Sequence, residues 1–522
     1  SASSSASAAR ISVVVVVVVA RHVVVLSSRA GANAAADDVD ALGFSKLDWA
    51  RVRTPARYLG NEVGAFRAPW DARDGVEARF CVAYPETYEV GASNLGHVVL
   101  YTVLNQTPGT MCDRCYLPAD DMIELMRARD APLFAVESKR GLAEFDAVGL
   151  SVAYELGAIN ILEMMHLARI PLTWEARDDA SDRPWNVEEN GSWPMVFAGG
   201  PTATSNPEPF AAFLDFVCLG DGEDVLPEIA ESIKRSKREK LTREETLFRL
   251  AVDVEGVYVP RFYDAPPGWA GAVFPVREGV PVRPKRRVAM PDPMLQIGLV
   301  PYVETVHDRM TVEIRRGCTR GCRFCQPGML TRPARDVDPD RVVQAVEEGI
   351  QKTGYNEFSL LSLSCSDYLA LPAVGLEIKN RLKDENVTLS LPSQRIDRFD
   401  DSIADILGGG GKVGLTFAPE AGTQRLRDII NKGLTNEELL RGVQNAYRRG
   451  WRNVKLYFMI GLPGEQDADV LGIAETVGWL VRTVSKPTGR KKDELTVTLT
   501  ISNFTPKPHT PFQWHSVSTS EF

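Results

Sequence analysis

The chain has 522 residues, of which 44% are hydrophobic and 25% charged, with 41 Gly and 33 Pro. Those fractions exclude wholesale disorder and collagen-like or low-complexity architecture, and the length predicts several domains of about 150 residues. A net charge of −9 offers no global attraction for nucleic acid, and eight cysteines are too few for a disulfide framework in so long a chain, which directs attention to metal or redox use.

Residues 1–36 carry no Asp or Glu, are crowded with Ser, Ala and Val, and have Arg10, Arg21 and Arg29 as their main charges. This composition predicts a removable transit segment over 1–44, with the chloroplast as destination and the mitochondrion as the alternative. A secretory signal and an upstream extension without a role are the rival readings. The Val-rich run 13–20 stops at Arg21 and His22, too short to cross a bilayer, and no other stretch reaches the ~20 apolar residues a membrane helix needs.

From Ala78 onward, strand candidates alternate with helical stretches: ARFCVAYP, then SNLGHVVLYTVLN, APLFAVES, DAVGLSVAYE, a helix near 160–168, PMVFAGGP, and DFVCLGDGE leading into a helix that ends near Lys237. The spacing predicts an α/β domain over 45–237 built on a doubly wound parallel sheet of flavodoxin-like type. Ligands of such sheets sit beyond the carboxyl ends of the strands, where AGGP (198–201) and GDGE (220–223) fall; simple turn chemistry is the other explanation of those glycines. Residues 238–300 read as a charged, proline-rich linker. Its basic run at 283–287 is either a solvated connector or a contact for an anionic partner, and IKRSKREK (233–240) reads as a solvated helix end.

A second alternation begins at Thr311 and runs six times. Its strand candidates are TVEIRRG, EFSLLSL, TLSLPS, GLTFAPE, NVKLYFMIG and LTVTLTIS, with helices starting near Asp338, Ala370, Asp400, Gln424 and Asp467. Six strand-helix units predict a partial (β/α)6 barrel of the TIM type over 301–522, whose site lies at the carboxyl ends of the strands, and leave room for a further carboxyl-terminal extension.

The chemical signal is GCTRGCRFCQPG, which places Cys318, Cys322 and Cys325 at CxxxCxxC spacing directly after the first strand of that barrel. Three thiolates on one tight loop can each ligate a different iron of a 4Fe-4S cubane, which leaves the fourth iron open. Zinc is the competing metal, but it wants a fourth Cys or His nearby and the loop supplies none. Cys112 and Cys115 form a second, isolated CxxC that is either a redox pair, half a zinc site or chance proximity. Cys81, Cys218 and Cys365 read as buried small residues, and His166 as packing or surface.

The cysteine loop resembles the cluster-binding loop of radical S-adenosylmethionine enzymes, in which an aromatic residue, here Phe324, precedes the last Cys. The resemblance implies that the open iron takes the amino and carboxylate groups of S-adenosylmethionine, and that one electron cleaves the cofactor to methionine and a 5′-deoxyadenosyl radical that modifies a substrate. An electron donor such as ferredoxin or flavodoxin follows from the same implication. It also assigns cofactor contacts at the strand exits. SLSCSD, which departs from the Gly-Gly-Glu stretch common in the superfamily, offers Ser362, Ser364 and Asp367. SLPSQRID offers Ser393 and Arg395 for the cofactor's carboxylate. Glu420 stands at the ribose position, and Gly461, Leu462, Pro463 and Gly464 at the turn that passes the adenine.

RYLGNEVG (57–64), YPETYEVGASNLG, INKG (430–433) and NFTPKPHTPFQW (503–514) resemble, more narrowly, an uncharacterised radical enzyme family with an amino-terminal cobalamin-binding-like domain. The Asp-x-His-x-x-Gly motif that supplies a histidine ligand to cobalamin is absent, and His97 stands in NLGHVV without that Asp. Cobalamin is therefore a further cofactor candidate beside the cluster and S-adenosylmethionine. The substrate stays open. A cobalamin-dependent methyltransferase or methylthiotransferase-like RNA modification enzyme is one alternative, and a non-catalytic iron-sulfur redox scaffold is the other.

Overall fold

The computed structural model describes residues 40, 42–70, 75–178, 182–266, 268, 271–392, 394–408, 414–484 and 494–519. Ser393, part of the tetraglycine at 408–411 and all but the end of the expected transit segment lie outside the described residues. The end of that segment differs from expectation. Phe44 is 1% exposed and packs edge-on against Trp49, with ring centroids 5.5 Å apart, and against Phe134. Ser45 then caps the helix Lys46–Trp49 in a reciprocal capping box with Asp48. Folded structure therefore starts before residue 44, because one aromatic ring in an otherwise small-residue stretch is enough to fill a core position.

The first sheet comprises β1 (Ala78–Tyr84), β2 (Thr110–Tyr116), β3 (Ala147–Ser151), β4 (Met195–Gly199), β5 (Phe216–Cys218) and β6 (Val257–Tyr258), in the order β2-β1-β3-β4-β5-β6. The first five strands pair parallel and β6 pairs antiparallel to β5. Alternate residues feed two cores, one on each face: Cys81, Ala83, Met111, Val148 and Val196 in one, Phe80, Val82, Ala147, Phe197 and Phe216 in the other.

Two expectations change here. β2 was hidden in the sequence by Asp113 and Arg114, both wholly buried, whereas APLFAVES makes only an isolated bridge between Phe134 and Gly141. Burial of those charges is possible because each is answered. Asp113 accepts from the Glu137 and Ser138 amides (3.0 and 2.7 Å), and Arg114 lies between the Glu62 and Glu137 carboxylates. Second, the expected linker does not begin at 238. The helix Arg243–Asp253, started by a Thr242–Glu245 capping box, buries Leu247 and Leu250 in the first sheet's core, and β6 completes that sheet. The basic helix end is likewise engaged: Lys237 pairs with Asp146 at 2.9 Å, and Lys234 is buried against the Pro108 carbonyl.

A small ribbon, β7 (Tyr263–Asp264) with β8 (Phe274–Pro275), leads into the second half. There β9 (Met310–Glu313) is followed by a second ribbon of β10 (Arg315–Arg316) and β11 (Arg335–Asp336), then by β12 (Glu357–Leu361), β13 (Thr388–Ser390), β14 (Leu415–Glu420), β15 (Asn453–Ile460) and β16 (Thr496–Asn503). All six expected strands are present and pair parallel. Among the described residues they form two ladders, β13-β12-β9 and β14-β15-β16, rather than one continuous wall. β13, only three half-buried residues long, ends the first ladder. One apolar core running from Met310 to Leu495 nevertheless joins the two. The helices start where expected, with Asp338, Asp400 and Thr423 side chains capping first-turn amides.

Candidate functional site

β9 and β10 deliver the chain to Gly317, whose φ is +85°; a Cβ there would lie 2.4 Å from the Thr331 carbonyl oxygen and 2.7 Å from that of Pro333. Only glycine fits this turn. The cysteine loop follows. Within it the Arg320 amide donates to Cys318 Sγ (3.3 Å) and the Cys325 amide to the Cys322 carbonyl (3.1 Å), before Cys325 caps the helix Gln326–Leu330.

Distant segments tie the loop down. The Arg323 amide donates to the Ile430 carbonyl (2.9 Å) and Asn431 Nδ2 to the Gly321 carbonyl (2.9 Å). Gln326 Nε2 donates to the Pro508 carbonyl (3.3 Å), and the Phe512 amide to the Arg323 carbonyl (3.3 Å). INKG and the FTPKPHTPF stretch thus converge on the cysteines. Behind them Phe324 packs on an apolar cluster of Ala421, Leu426, Ile430, Leu462, Phe504 and Phe512.

Cys318, Cys322 and Cys325 are partly exposed, while the other five cysteines are buried. Burial pushes the Cys322 and Cys325 thiols up, and the Lys432 and Arg395 cations offset this only in part at Cys322. Among the described residues no three His, Cys, Asp or Glu side chains converge on a single ion position. The three thiols nevertheless share one neighbourhood, since Cys318 and Cys322 both bear electrostatically on Cys325.

Around this loop the expected contacts are already paired. Asp367 takes Arg320 Nη2 at 2.6 Å, Arg320 Nε at 3.2 Å and Ser364 Oγ at 2.8 Å; these hydrogen bonds outweigh burial and hold its carboxyl below the usual range. Ser362 Oγ accepts from the Ser364 amide (3.1 Å). Arg395 is bound through both Nε and Nη2 to Asp397 (2.9 and 3.2 Å). Glu420, at φ +69° where the β14 ladder shifts register, pairs with Lys432 at 3.1 Å. Gly461 and Gly464 have φ of +76° and +78° as a tight turn needs, with the Gly461 amide bound to Glu465. Leu462 is corrected: its side chain is buried beneath the loop and presents no face to a ligand. Sequence reasoning missed Arg320, Asn431 and Lys432; the last two stand in INKG, noticed there only as a family resemblance.

The carboxyl ends of the first sheet face this site. Arg316 of β10 pairs with Asp221 (3.3 Å) and Glu223 (2.6 Å) from GDGE at the exit of β5, and Arg335 of β11 with the same Asp221 (2.6 Å). The short helix Pro201–Ser205 beyond β4 packs on the helix Gln326–Leu330. His509 Nε2 meets the Ser205 carbonyl (2.8 Å), and Lys507 pairs with Glu155 beyond β3 (2.7 Å). Cys112 and Cys115, by contrast, sit on opposite faces of β2 in separate cores and form no joint site. His97 is wholly buried between the Tyr84 and Tyr116 rings; burial, with Arg114 nearby, pulls it down to about 3, so it is neutral.

Comparison with known proteins agrees with this geometry. Residues 96–260 match the model for the amino-terminal region of radical SAM proteins, and residues 312–477 that for the radical SAM superfamily. An uncharacterized protein of Methanocaldococcus jannaschii is 26% identical over 437 residues, 83% of this chain and 78% of the relative. An uncharacterized methyltransferase of Pyrococcus horikoshii is 23% identical over 293 residues, 55% of this chain and 57% of its own length. In fold, the chain is similar to the radical S-adenosylmethionine methyltransferase TsrM of Kitasatospora setae, solved with cobalamin and a [4Fe-4S] cluster (TM-score 0.54, 16% identity, 84% of this chain and 77% of that one). It is also similar in fold to the cobalamin-dependent radical enzyme OxsB (TM-score 0.52, 14% identity, 80% and 54%). With three motif cysteines on the loop after β9, the chain belongs to the radical S-adenosylmethionine superfamily of enzymes.

Proposed function

We propose that Cys318, Cys322 and Cys325 hold a 4Fe-4S cluster with one open iron, that S-adenosylmethionine binds there, and that the first half holds cobalamin against the same site for methyl transfer to a substrate still to be identified. The carrying observation is the facing of the two halves: the strand exits of the first sheet are clamped by ion pairs and a helix contact to the segments that bear the cysteines. When bound, the cluster supplies one electron to the sulfonium of S-adenosylmethionine, releasing methionine and a 5′-deoxyadenosyl radical. The strand order β2-β1-β3-β4-β5 is that of flavodoxin-like sheets, and six parallel strands separated by helices support an incomplete TIM-type barrel.

This chain's own residues hold and orient. Lys432 pairs with Glu420 near Cys322, and hydrogen bonds from Arg320 hold Asp367 as a carboxylate, so both acids are presented to a cofactor's hydroxyls and ammonium group. Leu156 and Ile159, 80% and 78% exposed beyond β3, offer an apolar seat for a corrinoid. His97 cannot reach it, so the cobalt would take no histidine from that helix.

Anaerobic reconstitution with iron and sulfide tests the reading: about four irons per chain are expected, with loss of iron in Cys322→Ala. The reduced protein given S-adenosylmethionine should release 5′-deoxyadenosine. A full cluster without any cofactor cleavage would leave a redox scaffold. Cobalamin should stay with the protein through gel filtration, and Leu156→Asp with Ile159→Asp should lose it while keeping iron; a wild-type protein that elutes without cobalamin would remove it from the proposal, and a variant that retains it would remove this seat.

A further inference from the structure

The strands of the second half have two faces, and the helices claim only one. Val312, Leu360, Phe417, Val454, Leu456 and Phe458 enter the apolar core shared with the helices, so the alternate positions of each strand face the space the strands enclose. In a closed barrel, branched apolar side chains fill that space. Here β15 places Lys455 and Tyr457 on it, with Thr416 of β14 and Thr498 of β16 in register with Lys455, and Thr500 of β16 in register with Tyr457. Tyr457 is 37% exposed although it stands in the middle of the central strand of its ladder, so the space before it is open to solvent.

The charge on this wall is unanswered. Acids on the neighbouring strands each have a cation of their own: Glu313 has Arg316 (2.7 Å), Glu357 has Arg309 (3.3 Å) and Glu420 has Lys432 (3.1 Å). Among the described residues Lys455 has no carboxylate partner; its Nζ lies over the Tyr457 ring, 5.0 Å from the centroid. Farther along the same face of β15, Met459 packs on the cluster that carries Phe324 of the cysteine loop. At about 3.3 Å per residue, the ammonium group therefore sits about 7–13 Å below that loop. We propose that the enclosed space is the substrate pocket and that it takes a small organic acid. A carboxylate or phosphate group would bind Lys455 and the hydroxyls of Thr416 and Thr498, an apolar or aromatic body would lie along Tyr457, and the atom to be modified would stand about 7–13 Å from the acid group, under the cysteine loop. A cation at that depth suits a small molecule entering end-on, not a polymer lying across the mouth. The proposal rests on the cluster reading above, which marks the end of the column at which chemistry occurs.

The test uses the reconstituted full chain with S-adenosylmethionine present and three probes titrated by calorimetry: phenylacetate, phenyl phosphate and the neutral phenylethanol. Wild type should bind at least one of the two anions more tightly than the alcohol, and the tighter anion names the acid group. Lys455→Met should weaken that binding at least about tenfold, Lys455→Arg should regain most of it, and Lys352→Met, on the exposed face of the helix Pro339–Thr353, should change nothing. Tyr457→Leu should weaken all three probes alike. Iron per chain, melting temperature and 5′-deoxyadenosine release without substrate should stay at wild-type values in Lys455→Met. Equal anion affinity in Lys455→Met, an equal loss in Lys352→Met, or a wild type that binds neither anion would overturn the proposal. So would a single-stranded RNA oligonucleotide whose binding depends on Lys455 and is not displaced by the small anions. A wild-type protein without a cluster, or without 5′-deoxyadenosine release, would instead count against the cluster reading.

Discussion

Gly317→Ala is the most searching test of the loop geometry. The new Cβ meets two carbonyl oxygens, at 2.4 and 2.7 Å, and the φ of +85° is one that an L side chain rarely adopts. The left-handed conformation alone costs about 1–2 kcal/mol, and forcing a methyl group against packed backbone adds roughly 1–3 kcal/mol, so the turn faces about 2–5 kcal/mol of strain. The chain can relieve this only by moving the cysteine segment away from Thr331 and Pro333. Gly354, a helix cap at φ +73° with nothing near its added Cβ, supplies the comparison: Gly354→Ala carries the conformational cost without the collision. Iron per chain after anaerobic reconstitution and the melting temperature are measured for both. Gly317→Ala should lose most of its iron, whereas Gly354→Ala should keep it and melt only a few degrees lower, at roughly 2–4 °C per kcal/mol. A Gly317→Ala protein with full iron and an unchanged melting point would refute the reasoning.

Cys112→Ala and Cys115→Ala should each leave iron content at the wild-type value, since the two side chains enter different cores; loss of cluster in either variant would contradict this. Removing residues 1–39 should leave a soluble protein, whereas Phe44→Ala in that background should cost about 3–5 kcal/mol, read as a fall in the denaturation midpoint. A fluorescent fusion of residues 1–60 should enter the chloroplast, and delivery to the secretory pathway would exclude import. Arg114→Met leaves the buried Glu62 and Glu137 carboxylates without their cation and should destabilise by about 3–5 kcal/mol in urea titrations. Asp48 is held at about 2, below its usual value, chiefly by a hydrogen bond from Arg129, so its contribution is present above pH 4 and is lost as pH falls towards 2. Arg129→Ala should move the acid-unfolding midpoint upward, and an unmoved midpoint would show that the pair does not contribute.

What the sequence revealed was what is local. The six strands of the second half announce themselves as apolar runs, and two of the helix caps, Asp338 and Asp400, coincide with the predicted starts while Thr423 lies one residue before its own. Cysteine spacing alone located the cluster loop. What was illegible depends on meetings between distant segments. β2 is absent from the strand candidates because Asp113 and Arg114 interrupt its apolar run, and distant residues make their burial tolerable: Glu62 and Glu137 for Arg114, the Glu137 and Ser138 amides for Asp113. Asp367 and Arg395 were placed at the right strand exits, yet their partners Arg320 and Asp397 carry no mark in the sequence of where their guanidinium and carboxylate point. The helix Arg243–Asp253 was lost to a compositional reading of 238–300 because its apolar stripe is narrow and its exposed face strongly charged.

The tie between Gln326 and the Pro508 carbonyl spans 182 residues of chain, and this sets an order of events during synthesis. At the ribosome's pace of about 5–20 residues per second, the cysteines emerge roughly 10–40 s before the segment that clamps them. For that interval three thiols wait on a nascent peptide whose lid has not been made. Iron delivered then would find a site without its strap, and oxidant would find thiols without their cover. The clamp therefore dates the closing of the loop to the synthesis of residue 508: until that segment has emerged, the cysteine loop lacks this tie.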